Sequence, residues 1–233
     1  MNAAIPETEV EKPTMKALTE NESKAFLASH GFPVVATIPA ATREDALRAA
    51  ADLGFPVAVK IDSPDILHKS DFGGVCLNLR SSDDVGAAFD EMTAAARKRY
   101  PTATILGVTV QAMASAGQEI IIGISNDPQF GPLVMFGLGG IMVELLKDVA
   151  FRIVPLTARD AREMIREIKG FSLLTGFRGS APVDISFLEY LLLRLSKVVE
   201  THPEIRELDL NPVIAYSTGG VIADARMILE TGS

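Results

Sequence analysis

Toward the end of the sequence, Asp209, Asn211 and Asp224 are spaced for metal chemistry. Asp209 and Asn211 lie two apart in a run that reads as a strand, Glu207 to Tyr216, so both share one sheet face. A second run, Val221 to Ile228, returns alongside it around Ser217-Thr218-Gly219-Gly220. With those four residues as the loop, the antiparallel register sets Asp224 opposite Val213, diagonal to Asn211 and on its face. Three converging oxygens suit a hard cation such as Mg²⁺, which takes few protein ligands and leaves the rest of its shell to phosphate and water. The competing reading is an edge-strand irregularity with all three side chains in solvent.

Lys60 ends a run of small and β-branched residues, Val57 to Val59, in Val57-Ala58-Val59-Lys60-Ile61. An ammonium inside a buried strand needs an anionic partner, which a nucleotide phosphate would supply; at an exposed strand end it needs none. His68 sits in the polar loop Asp62 to Gly74, flanked by Lys69 and Asp71. An exposed imidazole there could act as nucleophile, base or ligand, or be inert surface. His30 and His202 stand at helix ends, where a basic side chain suits the helix C-terminus. The amides of Gly137-Leu138-Gly139-Gly140 could cradle phosphate oxygens, but the spacing matches neither the dinucleotide fingerprint nor a P-loop, and a tight turn is the alternative.

The elements that must position these groups follow a regular grammar. Thr19 and Glu22 form a capping box for a helix whose body is Lys24 to His30, stopped by Gly31 before a strand at Val34 to Ile38. Thr42 caps Arg43 to Leu53, and Gly54 precedes the strand at Val57 to Ile61. Val75 to Leu79 reads as a strand, Asp83 to Tyr100 as an amphipathic helix, and Ile105 to Gln111 as a further strand. Beyond a hinge near Gln111 to Gly117 come strands at Glu119 to Ile124, Leu133 to Phe136 and Arg152 to Pro155. Helices at Ala158 to Lys169 and Val183 to Glu200 precede the hairpin. This predicts an α+β fold of two lobes, residues 19–112 and 113–233, after a flexible leader over residues 1–18.

With 233 residues, 48% of them hydrophobic, the chain is long enough for a real core. Twenty-two Lys and Arg against 30 Asp and Glu give a net charge of −8, so no global field draws in nucleic acid or an anionic membrane. The single Cys76, in an apolar run, predicts a buried thiol in a reducing compartment. The first sixteen residues have neither the apolar core of a signal peptide nor the basic character of a transit peptide, and Gly131 to Leu146 is too broken to span a membrane. A cytoplasmic location is expected.

In this order the segments resemble the ATP-grasp β subunit of ADP-forming acyl-CoA (acetyl-CoA) synthetases, relatives of succinyl-CoA synthetase. The likeness covers about Thr14 to Glu230. It rests on Val57 to Ile61, on Ser63-Pro64-Asp65-Ile66-Leu67-His68-Lys69-Ser70-Asp71 with Gly73-Gly74-Val75, and on Gln118-Glu119-Ile120 with Gly123. Asp127-Pro128, Phe130-Gly131-Pro132, Gly137 to Gly140, Arg152 to Leu156 and Leu208 to Pro212 complete it. The resemblance implies ATP or ADP between two lobes, with Lys60 and the Gly139 and Gly140 region at the phosphates and Gln111 to Met113 framing adenine. It also implies Glu119 near the nucleotide, Mg²⁺ on Asn211 and Asp224, and His68 phosphorylated as a relay to ADP. Asp209 stands where many ATP-grasp enzymes carry Glu, and Phe72 where a small residue is expected. No segment resembles the family's CoA-binding half, which implies a separate α subunit. The rival readings are a stand-alone ATP-grasp carboxylate ligase and a nucleotide-binding regulatory subunit.

Overall fold

The computed structural model describes residues 14–66, 69–140 and 147–232. First in the chain come β1 (Thr14–Ala17) and α1 (Glu20–Ser29). A smaller unit follows: β2 (Thr37–Ala40), α2 (Arg43–Leu53), β3 (Val57–Asp62), a 3-10 turn (Lys69–Phe72), β4 (Val75–Leu79), α3 (Ser82–Arg99) and β5 (Gly107–Ala112). Its four strands pair antiparallel in the order β2-β5-β3-β4. The apolar faces of α2 and α3 cover one side, where Ala46, Ala50, Val85 and Met92 meet Val57, Val59, Ile61, Val108 and Val110. The period of two along β3 then turns Ala58, Lys60 and Asp62 to the other side. All six residues of β3 are buried, so Lys60 is no exposed strand end.

The larger unit contains β6 (Gln118–Asp127), β7 (Gly131–Leu138), β8 (Val149–Ile153), α4 (Ala158–Glu167), α5 (Phe171–Leu174), α6 (Ile185–Thr201), β9 (Ile205–Ala215), β10 (Gly220–Ile222) and β11 (Ala225–Thr231). Among the described residues these strands and β1 form a seven-stranded sheet, ordered β1-β11-β9-β6-β7-β8 with β10 beside β9. Helix α6 carries Leu188, Leu191, Leu192, Leu195, Val198 and Val199 at helical spacing, a stripe that packs on Ile120, Ile122, Phe136, Leu208 and Leu210. Strand β9 alternates accordingly. Leu208 and Leu210 point into the core, and Glu207, Asp209 and Asn211 point away from the helices.

Three expectations need correction. Residues 14–17 are not leader but an edge strand, paired with β11 from Thr14↔Thr231 to Ala17↔Ile228. Helix α1 does not belong to the first lobe's core, because Leu27 and Phe32 pack with the large sheet. The strand expected at Val34 to Ile38 runs from Thr37 to Ala40, since Val34 is drawn off into a parallel bridge with Ile222.

The hairpin register also differs. The Tyr216 N–H donates to the Gly219 carbonyl (3.0 Å), leaving Ser217-Thr218 as a two-residue tip, and Gly220 pairs with Ala215. Ala225 pairs with Leu210 and Arg226 with Asp209, so Asp224 lies opposite Asn211 rather than Val213. The Asn211 N–H accordingly donates to the Asp224 carbonyl at 3.2 Å. A slip of two residues preserves the face, so Asp209, Asn211 and Asp224 still share one side.

Candidate functional site

The two sheets face one another across a cleft of about 430 Å³ lined by Lys60, Gln111, Met113, Glu119 and Asp224, with Leu77, Pro212 and Ile214 among its apolar walls. Lys60, 5% exposed, reaches across from β3. Its ammonium donates to Asp224 Oδ2 and to Glu20 Oε1, each at 2.7 Å. Burial opposes the charge on Lys60, but Asp224 and Glu20 overcome it and hold the ammonium above its ordinary value.

Glu20 is the anion around which this end of the cleft is built. It opens α1 behind a complete capping box, in which the Thr19 N–H donates to Glu22 (2.7 Å) and the Glu22 N–H to the Thr19 hydroxyl (3.2 Å). Besides Lys60 it accepts from Lys24 at 2.7 Å and from Lys69 at 3.0 Å. Burial alone would raise this carboxyl; the ammonium groups of Lys60, Lys24 and Lys69 bring it down to about 2. Lys24 also donates to the Gln111 side chain and, at 3.3 Å, to Thr37, and burial holds it down at about 8 despite Glu20.

Asp209 and Asn211 line an adjoining hollow of about 330 Å³ with Gly123, Met135, Phe151 and Arg226. Burial and the nearby charge of Asp224 push the Asp209 carboxyl up, against Arg226 and a hydrogen bond with Asn211. Two carboxylates and an amide oxygen on one face form a hard donor set, and the mutual repulsion of the carboxylates calls for a cation between them. The Lys60 ammonium fills that role for Asp224. The residues therefore fit Mg²⁺, although among the described residues no group of three or more His, Cys, Asp or Glu converges.

The glycines behave differently from the expectation. Gly137 and Leu138 lie inside β7, and the Gly139 N–H donates to the Glu119 carbonyl at 2.8 Å, so that amide is not free for phosphate. A Cβ on Gly139 would sit 2.9 Å from the Glu119 Cβ, and one on Gly140 would sit 3.0 Å from Glu119 Oε2. Both glycines serve the close approach of Glu119. Met113 lines the cleft while giving its N–H to the Pro56 carbonyl (3.3 Å). His68 lies outside the described residues; Lys69, its neighbour, anchors to Glu20.

The ATP-grasp domain model matches residues 9–229. The chain belongs to the ATP-grasp family. This ATP-grasp chain is 48% identical over 217 residues to the β subunit of acetate–CoA ligase [ADP-forming] II of Pyrococcus furiosus, covering 92% of each. To the β subunit of ligase I of that organism it is 45% identical, again over 92% of each chain. Its fold superposes with a TM-score of 0.89 on Ca. Korarchaeum cryptofilum acetyl-coenzyme A synthetase 1 in complex with coenzyme A, Ca-AMPCP and HgCl⁺, at 49% identity over 92% of this chain and 94% of that one. It is thus a member of the ADP-forming acetate–CoA ligase β subunits within that family.

Sequence reasoning missed Glu20, Lys24 and Lys69 in this ATP-grasp site. An acidic first turn reads as a solvated complement to the helix dipole. The available signal was the Glu20–Lys24 pair four residues apart on the face that also carries Leu27, since that face is the buried one.

Proposed function

We propose that the chain is the nucleotide-binding β subunit of an ADP-forming acyl-CoA synthetase, which interconverts acyl-CoA, ADP and phosphate with acid, CoA and ATP. The observation that carries this reading is the meeting of Lys60 and Asp224 at 2.7 Å across the cleft between the two sheets. Lys60 would turn to the nucleotide phosphates, and Gln111 and Met113 would border the adenine. Asn211 and Asp224 would hold Mg²⁺, which would supply charge neutralisation for the phosphates, and Asp209 beside them would be a catalytic carboxylate facing the metal or the phosphohistidine. His68 would accept a phosphoryl group at a ring nitrogen as the N–P bond of a phosphohistidine on the partner breaks and frees that imidazole. In the second step the N–P bond on His68 breaks as a β-phosphate oxygen of ADP forms the new O–P bond, returning the imidazole and giving ATP. A phosphohistidine segment pointing towards the nucleotide site belongs to a Korarchaeum relative of 46% identity, bound to coenzyme A and Mg-AMPPCP, and supports this assignment.

The partner would be a separate CoA-binding α subunit. The Pyrococcus relatives are named as subunits, and the Archaeoglobus fulgidus ligase I matches this chain over only 30% of its own longer length. No helix among the described residues is long and apolar enough to cross a membrane. A stand-alone ligase or a regulatory subunit is not favoured, because the 92% matches are to enzyme subunits.

The experiment is calorimetric titration of Mg-ADP into wild type and Lys60→Ala, followed by labelled-phosphate transfer in the complex with the α subunit. Lys60→Ala weakens ADP binding, and His68→Asn binds ADP but carries no label. Unchanged ADP affinity in the first variant removes Lys60 from the phosphate site, and full turnover in the second removes the relay.

A further inference from the structure

Glu20 has no role in the steps above, yet it is the carboxylate with the most ammonium partners among the described residues. Its side chain is 3% exposed, and its two oxygens collect three ammonium groups, with Lys24 and Lys60 on Oε1 and Lys69 on Oε2. Lys24 shares α1 with it, whereas Lys60 and Lys69 come from the smaller unit, from β3 and the 3-10 turn. Glu20 thus ties two cations of the small unit to the large one. Asp224 is the other anion on Lys60, but it is 37% exposed at the side chain and belongs to the oxygen face described above. A cation bound at that face competes with Lys60 for Asp224, and Glu20 is then the anion Lys60 retains. Asp62, on the same side of β3, is no substitute: burial raises its carboxyl, and its Oδ1 has no hydrogen-bond partner among the described residues.

We propose that Glu20 is a positioning residue for phosphoryl transfer, one buried carboxylate that aims the Lys60 ammonium into the cleft and holds the turn after His68, through Lys69, against the large sheet. The proposal rests on the nucleotide reading above. Without the Glu20 carboxylate, three like charges would crowd at a low-dielectric site, so Lys60 and Lys69 would move apart. The turn has its own local reporter: the Gly74 N–H donates to the Lys69 carbonyl at 2.8 Å, and the Gly74 carbonyl accepts from the Ile61 N–H at 2.9 Å.

The test compares wild type, Glu20→Gln, the charge-balanced double variant Glu20→Gln with Lys24→Met, and Lys69→Met. The readouts are melting temperature, Mg-ADP affinity by calorimetry and hydrogen exchange at the Gly74 amide. Glu20→Gln should lose about tenfold or more in Mg-ADP affinity, equivalent to about 1.4 kcal/mol, and should exchange Gly74 at least as many times faster. The double variant should recover the melting temperature without recovering affinity or protection. Lys69→Met should lose the Gly74 protection. A purely structural role predicts that the double variant regains all three properties, and that result overturns the proposal, as does wild-type Gly74 exchange in Lys69→Met. Should Glu20→Gln not fold, the other two variants decide. If wild type itself binds no Mg-ADP, the nucleotide reading fails, and the Gly74 exchange alone judges whether Glu20 holds the turn.

Discussion

A carboxyl held at about 2, against 4.5 for a free glutamate, makes Glu20 a source of pH-dependent stability. Because its folded value is depressed, the contribution is fully present above pH 4.5 and disappears as pH falls toward 2, on the order of 3 kcal/mol in all. Melting temperatures followed from pH 5 to pH 2 should decline steeply, and Glu20→Gln should flatten that decline; parallel curves would place the acid sensitivity elsewhere. At the oxygen face, Asn211→Ala and Asp224→Ala should each raise the Mg²⁺ concentration that half-saturates ADP binding by about tenfold, since water cannot fully replace a fixed oxygen ligand. Mg²⁺ titrations superimposable on wild type would mark the face as structural. Much of this chemistry was legible in the sequence: Lys60 stood in an apolar run, and Asp209 and Asn211 alternated with leucines. Glu20 was not, because a charge in a helix's first turn looks the same whether that turn faces water or a second sheet.

Among the elements, α1 has an ordinary cap with an unusual duty. Thr19→Ala should cost about 1 kcal/mol, and so should Thr157→Ala at the cap of α4, where the same reciprocal box is made with Asp160. Only the first should also weaken ADP binding, because only that cap fixes where Glu20 begins its reach. Equal ADP affinity in the two variants would separate capping from the cleft. The elements themselves follow from periodicity and caps: Arg43–Leu53 was read to the residue from Thr42 and Gly54. The hairpin shows what periodicity leaves open. Ser217 to Gly220 has turn residues enough for either a two-residue or a four-residue loop, and only the hydrogen bond from Tyr216 to Gly219 chooses between them. Both choices keep the same side chains on the same face, so Asp209, Asn211 and Asp224 come out together in spite of the wrong register. Strand β1 escaped notice because four residues with largely exposed side chains carry no alternation; β11 alone makes them a strand.

At the scale of the whole molecule, two sheets with separate cores meet across the cleft, joined by Glu20 and its lysines and by the run from Met113 to Gly117 between β5 and β6. Nothing in the local sequence announces that the first helix packs with the second sheet, since Leu27 and Phe32 find Ile120 and Leu191 only in three dimensions. The pairing of Thr14 with Thr231 sets the first and last strands side by side, antiparallel, at the edge of the large sheet. Opposed residues in such a ladder are about 5 Å apart, a gap that a few glycines and serines can close. The chain order is therefore a choice of where a nearly closed ring has been cut. A permutant joined from Thr231 to Thr14 and reopened in the exposed turn between β6 and β7, at Pro128-Gln129, should fold and bind Mg-ADP as the original order does, read by calorimetry and melting; loss of binding in a folded permutant would show that the order itself matters to the cleft. The same adjacency means that a domain tethered at Thr14 or at Thr231 would leave from the same edge of the large sheet.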